Sequence, residues 1–144
     1  MMARGEGHEL SARADVKLLV AAAKIDFGER LDGAVETVRA LVPAAQVVSA
    51  ARIPWAAVMQ TEGGFDPAYA WAARVHDALC VLETPDGTVA RGTASIIDRF
   101  LRAGKRVVAL RESRFAVVTG WTLTGEDDWK NRYAVLQVQD RIGS

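Results

Sequence analysis

The stretch ALCVLETPDGTVARGTASIIDRFLRAGKRVVALR, residues 78–111, decides the fold. ALCVLE (78–83) is a continuous apolar run of strand length. TASIIDRFLRAG (93–104) puts Ile96, Ile97, Phe100 and Leu101 on one helical face, and Gly104 suits a helix C-terminal cap. KRVVALR (105–111) is apolar again. A strand, a helix and a second strand in this order make a parallel pair with a helical crossover. Both strands are apolar throughout, as expected where helices cover both faces of a sheet.

The flanking sequence extends the pattern. VKLLVAAAKI (16–25) is a strand or the start of a helix, and FGERLDGAVETVRALV (27–42) favours the strand. In that second run Leu31, Val35 and Val38 recur at helical spacing, Asp26 is positioned to cap the helix, and Pro43 stops it. AQVVSAA (45–51) reads as a strand and IPWAAVMQTEGG (53–64) as a short helix ended by two glycines. DPAYAWAARVHD (66–77) reads as a helix with Asp66 as N-cap and Pro67 at its first position. RFAVVTGWTL (114–123) and NRYAVLQV (131–138) are strands joined by the polar turn TGEDDWK. The expected fold is α/β: a flavodoxin- or Rossmann-like, mostly parallel sheet flanked by helices, with a C-terminal β-hairpin.

Composition sets the outer bounds. The 144 residues fit one domain, read here as 15–144 behind a charged, glycine-containing tail at 1–14. Lysine plus arginine number 18 and aspartate plus glutamate 18, which argues against gripping nucleic acid or an anionic membrane by bulk charge. No stretch approaches a membrane span and the N-terminus lacks a signal-peptide core, so the cytoplasm is the expected location. The single cysteine, Cys80, sits in an apolar run and reads as a core residue. His8 and His76 stand apart, no cluster has metal-ligand spacing, and no cofactor is expected.

In an open parallel sheet, ligands collect beyond the carboxyl ends of the strands. That rule points to the loop 83–93. Gly87 and Gly92 permit close backbone approach, the helix opening near Thr93 offers free N–H groups, Arg91 adds a cation, and Thr93 and Ser95 add hydroxyls. These features suit a phosphate. They equally suit a tight strand-to-helix connection, and the loop matches neither the Walker nor the dinucleotide fingerprint. Lys24, Asp26 and Phe27, after the first strand, form the opposite wall, with Phe27 placed to stack on a base. Glu83 and Arg111 end neighbouring strands at the same edge. Asp98 reads as a solvated acid, and Trp129, Lys130, Arg132 and Tyr133 as an aromatic-basic cluster near a turn.

Asp77 before ALCVLE, then Arg91-Gly92-Thr93, then Gly104-Lys105 before RVVALR, resembles the superfamily of nucleoside 2-deoxyribosyltransferases and nucleotide N-glycosidases. That superfamily includes lysine-decarboxylase-like and nucleotide-sensing relatives. The resemblance spans about residues 16–111. It implies a small-molecule nucleotide or nucleoside bound at the carboxyl edge, in a chain that pairs into a homodimer or larger homo-oligomer. In the enzymes of this superfamily a helix-borne glutamate attacks the sugar; here Ile96 stands at that position. The expectation is therefore binding, with catalysis left open. The first alternative is an N-glycosidase or deoxyribosyltransferase that uses Glu83. The second is a protein-interaction module with a degenerate pocket.

Overall fold

A computed structural model describes residues 16–125 and 132–139. Six strands form one sheet: β1 (Lys17–Ala22), β2 (Gln46–Ser49), β3 (Ala78–Leu82), β4 (Arg106–Arg111), β5 (Arg114–Leu123) and β6 (Ala134–Val138). Four α-helices flank it: α1 (Glu29–Leu41), α2 (Trp55–Glu62), α3 (Phe65–Val75) and α4 (Arg91–Arg102). The strand order is β2-β1-β3-β4-β5-β6. The first four strands pair in parallel and the last two antiparallel. The anticipated α/β architecture and C-terminal hairpin are both present.

The alternation along β1 and β3 explains the two layers. Leu19, Ala21, Leu79 and Val81 face one side, where they meet Ala72 and Ala73 of α3 and Ala94, Ile96, Ile97 and Phe100 of α4. Leu18, Val20 and Cys80 face the other, against Leu31, Ala34, Val35 and Val38 of α1. Each fully buried Leu, Ile or Phe contributes about 1.5–3 kcal/mol of transfer free energy. Together they hold the sheet between one helix and three.

Helix starts differ from the sequence reading at two places, both governed by glycine. Asp26 does not cap α1. Gly28, at φ +101°, occupies the N-cap, and Asp26 lies two residues earlier in a short 3₁₀ turn. Glu29 and Asp32 complement the dipole in the first turn instead. Likewise Asp66 does not cap α3. Gly63 closes α2 in a left-handed conformation and Gly64 becomes the N-cap of α3. The two glycines thus turn the chain alone, which pulls the helix start forward to Phe65. Pro67 is then the third residue of the helix, where its missing N–H costs nothing.

At the other end β5 runs over its full expected length and pairs with β4 as well as β6. Glu112 and Ser113 make the β4–β5 turn, both at positive φ. This mirror-image turn matches strand twist but normally asks for Asn-Gly, so no local signal marks it. Residues 126–131, with Trp129 and Lys130, lie outside the described residues, as do 140–144 and 1–15, which take in the expected tail 1–14 and His8.

Candidate functional site at the carboxyl edge

From β1 the chain crosses to β2 on one side, then returns past β1 to β3 on the other. The direction of winding reverses between β1 and β3, so the carboxyl ends of these two strands frame the crevice where such sheets bind ligands. The loops after them, residues 23–28 and 83–90, are the walls.

One arginine ties these walls together. Arg30, on the first turn of α1, places Nη1 2.7 Å from Asp26 Oδ1, while its Nη2 donates to the Glu83 carbonyl at 3.2 Å. The Glu83 side chain turns the other way. Both its oxygens accept from Arg111, from Nε at 2.8 Å and Nη2 at 2.9 Å. This bidentate pair lifts Arg111 above its ordinary pKa, chiefly through the hydrogen bonds from the guanidinium to Glu83. Arg111 is thus engaged by Glu83, and Glu83 is held across β3 and β4.

Asp26 is the unusual member of this network. Its side chain is 6% exposed and Oδ2 has no hydrogen-bond partner. A carboxylate oxygen buried without a donor is costly, and folded proteins seldom leave one so. Lys24 is exposed beside it, and half-buried Phe27 packs against both core layers.

The loop after β3 is closed by its own side chains. Thr84 and Thr88 hydroxyls both donate to Asp86 Oδ1, the latter at 2.7 Å. Thr84 N–H donates to the Thr88 carbonyl at 2.8 Å and Gly87 N–H to the Thr84 carbonyl at 2.9 Å. Those two hydroxyls hold the Asp86 carboxyl below its usual range. Gly87, at φ +82°, is needed for the turn, and nothing lies within 4 Å of where its Cβ would be. Next, Val89 pairs with Ala134 of β6, which seats the C-terminal hairpin on the loop.

The first turn of α4 is lined by aromatic rings. A Cβ on Gly92 would lie 2.9 Å from the Tyr69 hydroxyl, so a larger residue here requires the Tyr69 side chain to shift. Burial, aided by the Asp66 charge, pushes the Tyr69 phenol up. Arg91 lies over the Tyr133 ring, 5.7 Å from its centroid. Tyr133 in turn packs on Trp121, whose indole N–H donates to Asp98 at 3.0 Å. Asp98 is therefore half-buried and bonded, not the solvated acid of the sequence reading. Thr93 is buried and Ser95 half-buried. Ile96 is 5% exposed and sits in the core.

Of the expected residues, Asp26 and Glu83 meet through Arg30, and Arg111 joins through Glu83. Gly87 belongs to the closed turn. Arg91 and Gly92 belong to an aromatic seam. The reading of the sequence missed Arg30, and it placed Tyr133 in a turn cluster rather than against Arg91. The i,i+4 spacing of Asp26 and Arg30 was the one available signal; Tyr69 and Tyr133 arrive from elements distant in sequence. Cys80 is a core residue, its thiol pushed up to about 12 by burial. His76 is 2% exposed, with Nδ1 donating to the Ala72 carbonyl at 2.8 Å, and burial lowers its pKa.

Fold and site together define a flavodoxin-like α/β protein with an antiparallel C-terminal extension and a buried, incompletely bonded carboxylate at its switch point. Comparisons with family models, curated proteins and solved structures found no match for the chain. Among the described residues no helix is long and apolar enough to cross a membrane.

Proposed function

We propose that the protein binds a nucleotide or nucleoside derivative between the carboxyl ends of β1 and β3, without performing chemistry on it. The observation that carries this is Asp26 Oδ2, buried at the switch point and lacking a donor. A sugar hydroxyl or a base amino group would supply that donor, and relieve the desolvation cost, once the 23–28 loop shifts to uncover the oxygen. Phe27 on the same loop offers a ring for the base, and Lys24 a charge for a phosphate.

Two arrangements favour binding over hydrolysis. The helix position that carries the nucleophile in the resembled enzymes is Ile96, packed in the core. The carboxylate named above as its replacement, Glu83, has both oxygens committed to Arg111. A nucleophile needs a free lone pair facing its target.

The test is a thermal-shift and calorimetric screen of nucleosides and their mono- and diphosphates, with wild type beside Asp26→Asn. A ligand present at 100 times its dissociation constant should stabilise the wild type by about 2.7 kcal/mol. The shift should shrink in Asp26→Asn, and no free base should appear by chromatography. If no nucleoside or nucleotide stabilises the wild type, or if Asp26→Asn binds equally well, the reading fails. Release of base that is lost in Glu83→Gln would replace it with the N-glycosidase alternative.

A further inference from the structure

The opposite edge of the sheet carries a concavity with its own chemistry. Helices α3 and α4 run antiparallel to the strands that follow them, so their C-termini lie at the amino ends of β3 and β4. The two edges are separated by the length of β3, about 17 Å for its five residues. Between the two helix ends lies an open groove of ≈390 Å³, floored by Ala70, Ala73 and Ala103. Arg74, Arg99, Arg102 and Lys105 complete the lining, so its charged residues are four cations and no acid.

Basic residues at helix C-termini often do no more than balance the dipole. Here that need is met by other means. Lys105 Nζ donates to the Ala73, Arg74 and His76 carbonyls at the end of α3. The end of α4 is closed by its own backbone, with Gly104 N–H on the Leu101 carbonyl and Lys105 N–H on the Phe100 carbonyl. Three guanidinium groups remain. Arg74 meets Glu62 at 3.2 Å and Arg99 meets Asp66 at 3.1 Å, each through one nitrogen. Arg102 is exposed and has no side-chain partner among the described residues. Most of the donors of three planar forks are therefore unspent around a floor kept clear by alanines.

We infer that this groove is a binding site for a polyphosphate group, carried on a small molecule. Guanidinium forks match phosphate oxygens in bidentate fashion, and three of them can share a pair of linked phosphates. A volume of this order suits a small ligand, and the chain's overall neutrality disfavours a nucleic-acid backbone. The inference does not depend on the carboxyl-edge reading, because it draws on none of the residues there.

The experiment titrates pyrophosphate, inorganic phosphate and a nucleoside diphosphate into full-length protein at low salt, using calorimetry and amide chemical shifts. Arg102→Ala and the double variant Arg99→Gln/Arg102→Ala are measured in parallel, with Asp26→Asn as the control at the other edge. Both groove substitutions alter exposed or half-exposed side chains, and their far-UV spectra and melting curves establish folding. Saturable pyrophosphate binding is expected, with shifts at residues 70–74 and 99–105. Affinity should fall about tenfold for each guanidinium removed, the effect of losing one charge-assisted hydrogen bond. Added salt should weaken binding, and Asp26→Asn should leave it unchanged. If the nucleoside diphosphate binds no more tightly than pyrophosphate, the phosphates alone are recognised; tighter binding that still depends on Arg102 extends the site to the nucleoside. Absence of saturable binding, equal affinity in the double variant, or shifts confined to the carboxyl edge would each overturn the proposal.

Discussion

Two loops leave the carboxyl edge of the sheet side by side, and they differ in what they leave unsatisfied. The loop after β3 has the glycines, hydroxyls and cation of a ligand-binding loop, yet it spends them within the protein. Thr84, Thr88 and Asp86 bond one another, Gly87 makes the turn, and Val89 pairs with Ala134. The loop after β1 has no conspicuous motif, yet it buries a carboxylate oxygen with no donor. Glycine content records where the backbone must turn. Unmet hydrogen-bonding capacity records where something else can bind.

The contrast breaks most decisively if the first turns of α4 prove to be open space. Ile96→Glu would place a carboxylate where the resembled enzymes carry their nucleophile. Because Ile96 is in the core, the substitution should destabilise by on the order of 4 kcal/mol, since the carboxyl must be buried charged or shift its pKa by several units. Urea unfolding measures this, and a loss below about 1 kcal/mol would show that the site is accessible.

A smaller effect tests the closed loop. Gly87→Val forces a β-branched residue to φ +82° and should cost about 2 kcal/mol. If the midpoint for unfolding does not move, the turn is not held as described. Next comes the seam between α3 and α4. Gly92→Ala should cost about 1 kcal/mol in wild type and less in Tyr69→Phe, because removing the hydroxyl leaves the nearest ring carbon at 3.7 Å. A double-mutant cycle with no coupling would contradict that contact.

Asp26→Asn sharpens the other side of the comparison. Without ligand its stability should stay within about 1 kcal/mol of wild type, because the lost pairing with partly exposed Arg30 is offset by a lower desolvation cost. A large loss would mean that Asp26 serves architecture first. The smallest effect is a matter of pH. The carboxyl of Asp86 is depressed below 3.8 in the folded protein, so its contribution is complete above that value and vanishes as pH falls through the lower folded value. Melting temperatures of wild type and Asp86→Asn should therefore differ at neutral pH and converge in acid; a constant gap would refute the assigned bonds.

Layer order was legible in the sequence because strands buried on both faces are apolar throughout, and amphipathic helices repeat at their own period. The boundaries of α1 and α3 were not. Side-chain caps are a local preference, and Gly28 and Gly64 override it by turning the chain closer to the helix. The β4–β5 turn was also hidden, since Glu112 and Ser113 adopt a conformation that their identities do not advertise. At the site, the sequence brought forward Asp26, Glu83, Arg91 and Arg111 as separate candidates. It left Arg111 open to a phosphate, to Glu112 or to Glu83, and only the fold shows that Glu83 takes it.

The amino-acid sequence by itself determined the class of protein: alternating strands and helices, a mostly parallel sheet, and a carboxyl edge rich in polar groups. Tertiary structure alone decided which of those polar groups remain available. Periodicity is a property of neighbouring residues. Hydrogen-bond saturation depends on groups that meet only when the chain has folded, as Arg30 meets the Glu83 carbonyl across 53 positions.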